Sequence, residues 1–269
     1  METKDITARV AAWYSDEFEE ATRLTDTADG RLEMIRTREL LHRHLPPAPA
    51  KVLDVGGGPG AHAEWLTAEG YTVHLVDPVA RHTEQAAERA GCSVEVGDAR
   101  ELAAPDTSVD VALLLGPLYH LPDRTDRIQA LAEARRVVRP GGLVVVAAIN
   151  RYASFTEHTA RATLTRIADS VSQIVDTGFY DGARGFTVAK FHTAAELTLE
   201  MAEAGLPATR IYSVEGPMWG IVKAVELRTG EPMRDDDPLM LCALEAARRA
   251  EQHPELLAAS SHLLAISQR

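Results

Sequence analysis

The chain has 269 residues, with 28 Lys plus Arg against 40 Asp plus Glu and a formal charge of −12. That balance, with no basic stripe to follow a phosphate backbone, excludes nucleic acid as the expected partner. No apolar run nears the roughly 20 residues of a membrane span and the first ten residues are charged, so a cytoplasmic protein with no membrane segment is expected. Cys92 and Cys242 are isolated, which fits neither a disulfide framework nor a zinc site. His42-x-His44 falls in a helical stretch, where residues two apart do not share a face, and no metal is expected there.

In chain order, Ile6 to Leu24 reads as an amphipathic helix with Val10, Trp13, Tyr14, Phe18 and Leu24 on its apolar or aromatic side. Gly30 punctuates, and Leu32 to Leu45 forms a second helix ending before Pro46-Pro47-Ala48-Pro49. Residues 1–50 are thus expected to be a helical lid over a core at 51–269. Val52, Leu53 and Val55 read as a buried strand with Asp54 inside it; Gly56, Gly58 and Gly60 then let the backbone turn and approach a ligand, and Ala61 to Ala68 opens a helix. Tyr71 to Pro78 is a second strand ending in Asp77, and Val94 to Arg100 a third ending in Gly97-Asp98-Ala99. Val109 to Gly116 gives a fourth, and Ala134 to Ala147 a helix end, a turn and a fifth.

Beyond the fifth strand, Arg151 to Lys190 reads as an insertion, with one helix from Phe155 to Val175 and a turn through Gly178, Gly182 and Gly185. Thr193 to Ala204 is a helix whose Thr193 and Glu196 form a capping-box pattern. A strand at Thr209 to Val214, helices at Trp219 to Leu227 and Pro238 to Ala259, and a final strand at Ser261 to Ser267 complete the chain. With no internal repeat and no low-complexity linker, one domain is expected, carrying cap insertions at about 151–190 and 217–258.

Gly56-x-Gly58-x-x-Ala61, with Asp77 about 20 residues on, fits the dinucleotide fingerprint. Asp54 separates that reading from its rival: its carboxylate would repel a pyrophosphate held over the loop and attract an ammonium group. Asp77, at a strand end, is placed to accept two hydrogen bonds from vicinal ribose hydroxyls. A single acid in such a place is usually a helix cap or turn former, but three successive strands end in one.

Across Val52 to Asn150 this series resembles the class I S-adenosylmethionine (SAM)-dependent methyltransferases, of the bacterial small-molecule type. The resemblance implies an α/β, Rossmann-like fold: a mostly parallel seven-stranded sheet with helices on both faces and an antiparallel last strand beside the sixth. It implies that Asp54, Gly56, Gly58 and Gly60 hold the methionine end of SAM, Asp77 with Pro78 the ribose, and Asp98 with the Ala99 backbone the adenine. Gly116 would lie beside the cofactor and the acceptor beyond it, at Gly116-Pro-Leu-Tyr-His-Leu121. His120 is the candidate general base, because its unperturbed pKa lies near neutrality; a packing role is the alternative.

The leading polar residue of the Asn/Asp-Pro-Pro-aromatic tetrad, common in amide and nucleobase amino methyltransferases, is missing at Gly116-Pro117-Leu118-Tyr119, which argues against an exocyclic base amine. Tyr14, Tyr119, Arg151 and Tyr152 are candidates for the acceptor pocket, with Asn150 beside them, and Arg36 for the methionine carboxylate. The expected activity is methyl transfer from SAM to an oxygen or nitrogen of a small molecule, leaving S-adenosylhomocysteine and using no metal, in a monomer or homodimer. An NAD-dependent oxidoreductase would need a feature such as a Tyr-x-x-x-Lys pair, which is missing. A non-catalytic SAM-binding subunit would keep the cofactor motifs but lack an acceptor pocket above Gly116.

Overall fold

The computed structural model describes residues 12–14, 20–183 and 186–269. The expected first helix therefore falls partly outside the described residues, as do Val10, Phe18 and Gly185; a helical turn at 12–14 is described. Two helices, α1 (Arg23–Asp26) and α2 (Ala28–His44), precede the sheet. The sheet then builds as β1 (Lys51–Val55), α3 (Ala61–Ala68), β2 (Thr72–Asp77), α4 (Ala80–Ala90), β3 (Ser93–Val96), β4 (Val109–Leu114), α5 (Arg124–Val137) and β5 (Val138–Ile149). Next come α6 (Ala153–Ala160), α7 (Ala168–Thr177), a separate hairpin of β6 (Phe179–Tyr180) and β7 (Ala189–Lys190), and α8 (Ala194–Glu203). The chain finishes with β8 (Arg210–Ser213), α9 (Trp219–Thr229), α10 (Pro238–Ala250), α11 (Pro254–Leu257) and β9 (His262–Gln268).

The seven-stranded sheet has the order β3-β2-β1-β4-β5-β9-β8. β9 runs antiparallel to both β5 and β8, while the pairs from β3 to β5 are parallel. β5 shows why the strands read as unbroken apolar runs. Val144, Val146 and Ala148 enter the core on one face with Leu131 and Leu197, and Leu143, Val145 and Ala147 enter that on the other with Leu41 and Leu66. A strand covered on both faces has no polar side to alternate. The parallel order also gathers the C-terminal ends of β1, β2, β3 and β4 along one edge, where open α/β sheets bind ligands.

Three expectations change. Gly30 does not interrupt the chain; it lies inside α2, whose N-cap Thr27 accepts a hydrogen bond from the Gly30 N–H at 3.2 Å. Glycine is required there because α1 crosses so closely that a Cβ would overlap the Arg23 carbonyl oxygen. The single helix at 155–175 is split into α6, a 3-10 turn at Leu164–Arg166 and α7, because Ala162 adopts φ 54° and ends the first segment. The helix expected from Pro238 to Ala259 stops at Ala250 and a short turn restarts at Pro254, which lacks the N–H needed to continue the ladder.

The capping box of α8 is present as the sequence indicates, with Thr193 and Glu196 bonded reciprocally. The helices of 217–258 bury Trp219, Val222, Met240, Ala243 and Leu244 against Ala28 and Leu32 of α2, so this stretch packs with the N-terminal helices.

Gly30→Ala is expected to lower stability by about 1–3 kcal/mol through this overlap, although alanine is favoured over glycine within a helix by about 1 kcal/mol. Urea denaturation measures the net effect; a variant as stable as its parent would mean that α1 can move aside freely.

Candidate active site

At the end of β1 the Gly56 N–H donates to Val76 O at 2.7 Å with φ +68°, and a Cβ at this position would lie 2.8 Å from Pro117 Cδ. The next residue, Gly57, lies over Asp54: a Cβ there would come within 2.6 Å of Asp54 Oδ2. Asp54 is 1% exposed, and neither carboxyl oxygen has a hydrogen-bond partner among the described residues. Burial, with the charge of Asp77 adding to it, pushes its pKa up to about 7. The loop therefore closes over a bare acid, which faces a cavity with about 1300 Å³ of empty space, counting the part open to solvent.

Asp77, at the end of β2, is already engaged. One of its oxygens accepts from Gly58 N–H at 2.9 Å; the other accepts from Val79 N–H at 2.9 Å and from His82 Nδ1 at 3.1 Å. It thus clamps the second strand to the glycine loop. Asp98 accepts from Arg100 through the backbone N–H at 2.9 Å and through the guanidinium, Nε at 2.9 Å and Nη2 at 2.5 Å. Burial tends to raise the Asp98 pKa, but these bonds hold it below the ordinary value. Asp98, Ala99 and Pro78 all line the cavity.

Beyond β4, Pro117–His120 forms a 3-10 turn. His120 Nδ1 lies 3.4 Å from Val188 O, and Nε2 lies 2.8 Å from the Tyr14 hydroxyl. A carbonyl can only accept, so Nδ1 carries the proton and Nε2 accepts from Tyr14. Burial lowers the His120 pKa to about 4, outweighing the opposite pull of Val188 O and Asp77. The ring is surrounded edge-on or tilted by those of Tyr119 at 4.6 Å, Tyr14 at 5.3 Å and Phe186 at 5.8 Å. Gly116, Tyr119, His120 and Tyr14 line the same cavity as Asp54.

Residues 52–142 match the family model described as a methyltransferase domain. The chain is similar to a ubiquinone biosynthesis O-methyltransferase of Thiobacillus denitrificans, 31% identical over 204 residues that form 69% of this chain and 78% of the relative. The chain belongs to the class I SAM-dependent methyltransferases. The methyltransferase is also similar to the 27-O-demethylrifamycin SV methyltransferase of Amycolatopsis mediterranei, 35% identical over 46% of this chain and 43% of that one. Among solved structures, a SAM-dependent methyltransferase of Thermotoga maritima, described as a possible histamine N-methyltransferase, shares the fold. Its TM-score is 0.60 at 17% identity, with 98% of each chain covered.

Four residues singled out in the sequence of the methyltransferase lie elsewhere; one is Gly60, absent from the cavity wall and packed so closely on α4 that a Cβ there would lie 3.1 Å from Ala86 Cβ. Arg36 is 1% exposed but absent from the cavity wall; its guanidinium is held by Glu39 and, at 2.7 Å, by Glu251. At this turn α2 presents Glu33 and Thr37 to the cavity, while the Arg36 side chain meets acids from α2 itself and from the end of α10. Arg151 binds both oxygens of Glu196, at 2.5 and 2.7 Å, and Tyr152 is 38% exposed; neither lines the cavity. Asn150 caps this corner, donating to Leu257 O and accepting from Tyr152 N–H. These residues follow β5 in sequence, but the turn into α6 carries them away from the ligand edge.

The cavity wall adds groups that sequence reasoning passed over. Arg23 donates to Glu20 through Nε at 2.8 Å and to both oxygens of Glu33 at 2.7 and 3.0 Å. His262 of β9 lies 2.5 Å from Glu215 and 3.7 Å from Glu33. Burial lowers the His262 pKa, but the two acids prevail and raise it to about 9. Glu33, Glu215 and His262 are spaced as a metal could be held. Arg23 on Glu33, and Ser260 with the His262 N–H on Glu215, already supply partners to the two carboxylates. The i, i+3 pair Glu20 and Arg23 was visible in the sequence but is indistinguishable there from a solvated helix face.

Because the folded value of Asp54 lies above the ordinary 3.8, the folded protein holds a proton that the unfolded chain releases, so free-protein stability falls as pH rises from about 4 through 7. Asp54→Asn removes that loss and is expected to make the free protein more stable at pH 8 by about 1–4 kcal/mol. Denaturation measured at pH 5 and pH 8 checks this; a variant no more stable than its parent at pH 8 would show that the carboxylate is satisfied.

Proposed function

We propose that the methyltransferase moves the methyl group of SAM to an oxygen or nitrogen of a small-molecule acceptor. The observation that carries this reading is Asp54: a buried carboxylate without a partner among the described residues, beneath a glycine loop, in a cavity that continues to the Tyr14–His120 pair. Such an acid is costly unless a cationic or donor group meets it, and SAM brings an ammonium. A dinucleotide would instead bring a pyrophosphate to the same place. The open surface at Gly116 favours an enzyme over a subunit that only stores the cofactor. Similarity to a ubiquinone biosynthesis O-methyltransferase and to a 27-O-demethylrifamycin SV methyltransferase favours an oxygen acceptor.

In this reading Asp54 and the loop at Gly56, Gly57 and Gly58 hold the methionine end. Arg23 replaces Arg36 as the partner of the methionine carboxylate, since its contacts with Glu20 and Glu33 occupy three of its five N–H groups. Asp77 meets the ribose beside Pro78. Three donors already use its lone pairs, which leaves room for one hydroxyl, not the two that its strand-end position suggests. Asp98 and the Ala99 backbone face the adenine.

The bound sulfonium supplies an electrophilic methyl carbon and needs no metal; alignment of the acceptor and exclusion of water supply much of the acceleration. Tyr14 and Tyr119 wall the acceptor, whose hydroxyl takes the place of the Tyr14 O–H at His120 Nε2. With Nδ1–H held on Val188 O, Nε2 is the ring position left to receive the proton.

Incubation with SAM and host extract should give a product heavier by 14, the mass of a methyl-for-hydrogen exchange. Asp77→Ala should weaken SAM binding by about 2–4 kcal/mol in calorimetry, and NAD should show no saturable binding; unchanged SAM affinity in the folded variant would remove Asp77 from the site.

His120→Ala should lower the maximal rate by about 10²–10⁴ with SAM affinity intact. Since His120 titrates near 4, its lone pair is available throughout pH 6–9, and the rate should show no histidine limb in that range. A limb near pH 6.5 that vanishes in the variant would mean that the ring is exposed in the working enzyme.

A further inference from the structure

The two helices flanking the acceptor turn hold a buried ion pair that takes no part in lining the cavity. Arg127 of α5 and Glu200 of α8 are 3% and 2% exposed, and they meet through two hydrogen bonds at 2.9 and 2.6 Å. The remaining Arg127 nitrogen, Nη1, donates to Leu121 O at 2.8 Å and to Pro122 O at 2.7 Å, the two carbonyls directly after His120. On the other side, Glu200 Oε2 lies 3.2 Å from Nε2 of the fully buried His192. The His192 peptide is bonded in turn to β5 and to the start of α6, its N–H donating to Ile149 O and its carbonyl accepting from Arg151 N–H, both at 2.8 Å.

His192 lies four residues after Val188, whose carbonyl meets His120 Nδ1. The segment around β7 thus reaches the acceptor turn twice, at Val188 directly and at His192 through Glu200 and Arg127. A surface ion pair would contribute little. This one is desolvated, and it spends an arginine on two carbonyls of a turn that Leu121 N–H also ties to Leu118 O at 3.2 Å.

We propose that Arg127 is a positioning residue of the acceptor site, locking the turn that bears Tyr119 and His120, through Glu200, to His192 in the segment that follows the cap strand β7. The proposal rests on the placing of His120 in the acceptor site. Its action is on the aim of His120, because nothing in the network touches Asp54, Asp77 or the glycine loop. A lysine could balance Glu200 but could not also span both carbonyls with a fixed planar fork.

The test needs no acceptor. Histidine-selective nitrogen NMR of the full chain reads the His120 tautomer and titration, and calorimetry with SAM as the probe reads the cofactor end. In Arg127→Met the His120 titration should move up by roughly one unit or more toward the 6.5 of an open imidazole, and the single Nδ1–H tautomer should give way to a mixture. SAM affinity should change by less than about 3-fold, a small step on the scale where tenfold is 1.4 kcal/mol. Arg127→Lys should show the same changes at smaller size, and it serves if the methionine variant does not fold.

A folded Arg127→Lys or Arg127→Met protein with an unaltered His120 spectrum would overturn the proposal. So would a loss of SAM affinity in step with the spectral change, which would mark a general collapse of the pocket. Failure of His120 as a base would appear instead in His120→Ala, whose rate would hold while the NMR result for Arg127 stood.

Discussion

The arrangement turns on two buried acids at adjacent strand ends that are treated in opposite ways. Asp77 accepts from the glycine loop, from its own turn and from His82, with one position left, whereas Asp54 has no partner among the described residues. The engaged acid ties the loop to the second strand; the bare one makes it receptive. A carboxyl pushed up to about 7 holds its proton part of the time near neutral pH, so the free protein avoids the full cost of a buried charge and recovers the charge when a cation arrives. Gly57 enables this, since any side chain there would press on the carboxyl.

What the sequence made legible was local. Glycine spacing, an acid at each strand end and the capping box of α8 are decided within a few residues, and the parallel order follows from the alternation of strands and helices. What it hid was long-range. Arg36 and Arg23 are both arginines near the start of the chain on helical segments, and only the packing of α1 and α2 on the sheet decides which faces the cavity. Arg151 and Tyr152 follow β5, as acceptor residues would, but the direction of the α6 turn is set by Asn150 reaching Leu257 O, more than 100 residues later. The β6–β7 hairpin lies in a stretch where glycines announced a turn but no alternation announced strands.

His120 shows how far a residue's chemistry depends on what surrounds it. Taken alone it is a histidine poised near neutrality. Enclosed by Tyr14, Tyr119 and Phe186, it is a neutral ring with one fixed tautomer. The turn that carries it is held by an arginine from one helix, and the ring by a carbonyl from a hairpin, so its aim depends on elements far apart in the chain.

The position of β9 has a consequence for how the molecule assembles. Synthesised after both β5 and β8, it nevertheless lies between them and pairs with each, and it brings His262 to the cavity wall. Until those residues arrive, β5 has an unpaired edge of apolar residues, and β8 has no neighbour in the sheet. Exposed edges of that kind invite pairing with other chains. Closing them requires contacts of high sequence separation, which form late and slowly. The His262 corner of the cavity is therefore complete only once β9 has sealed the sheet.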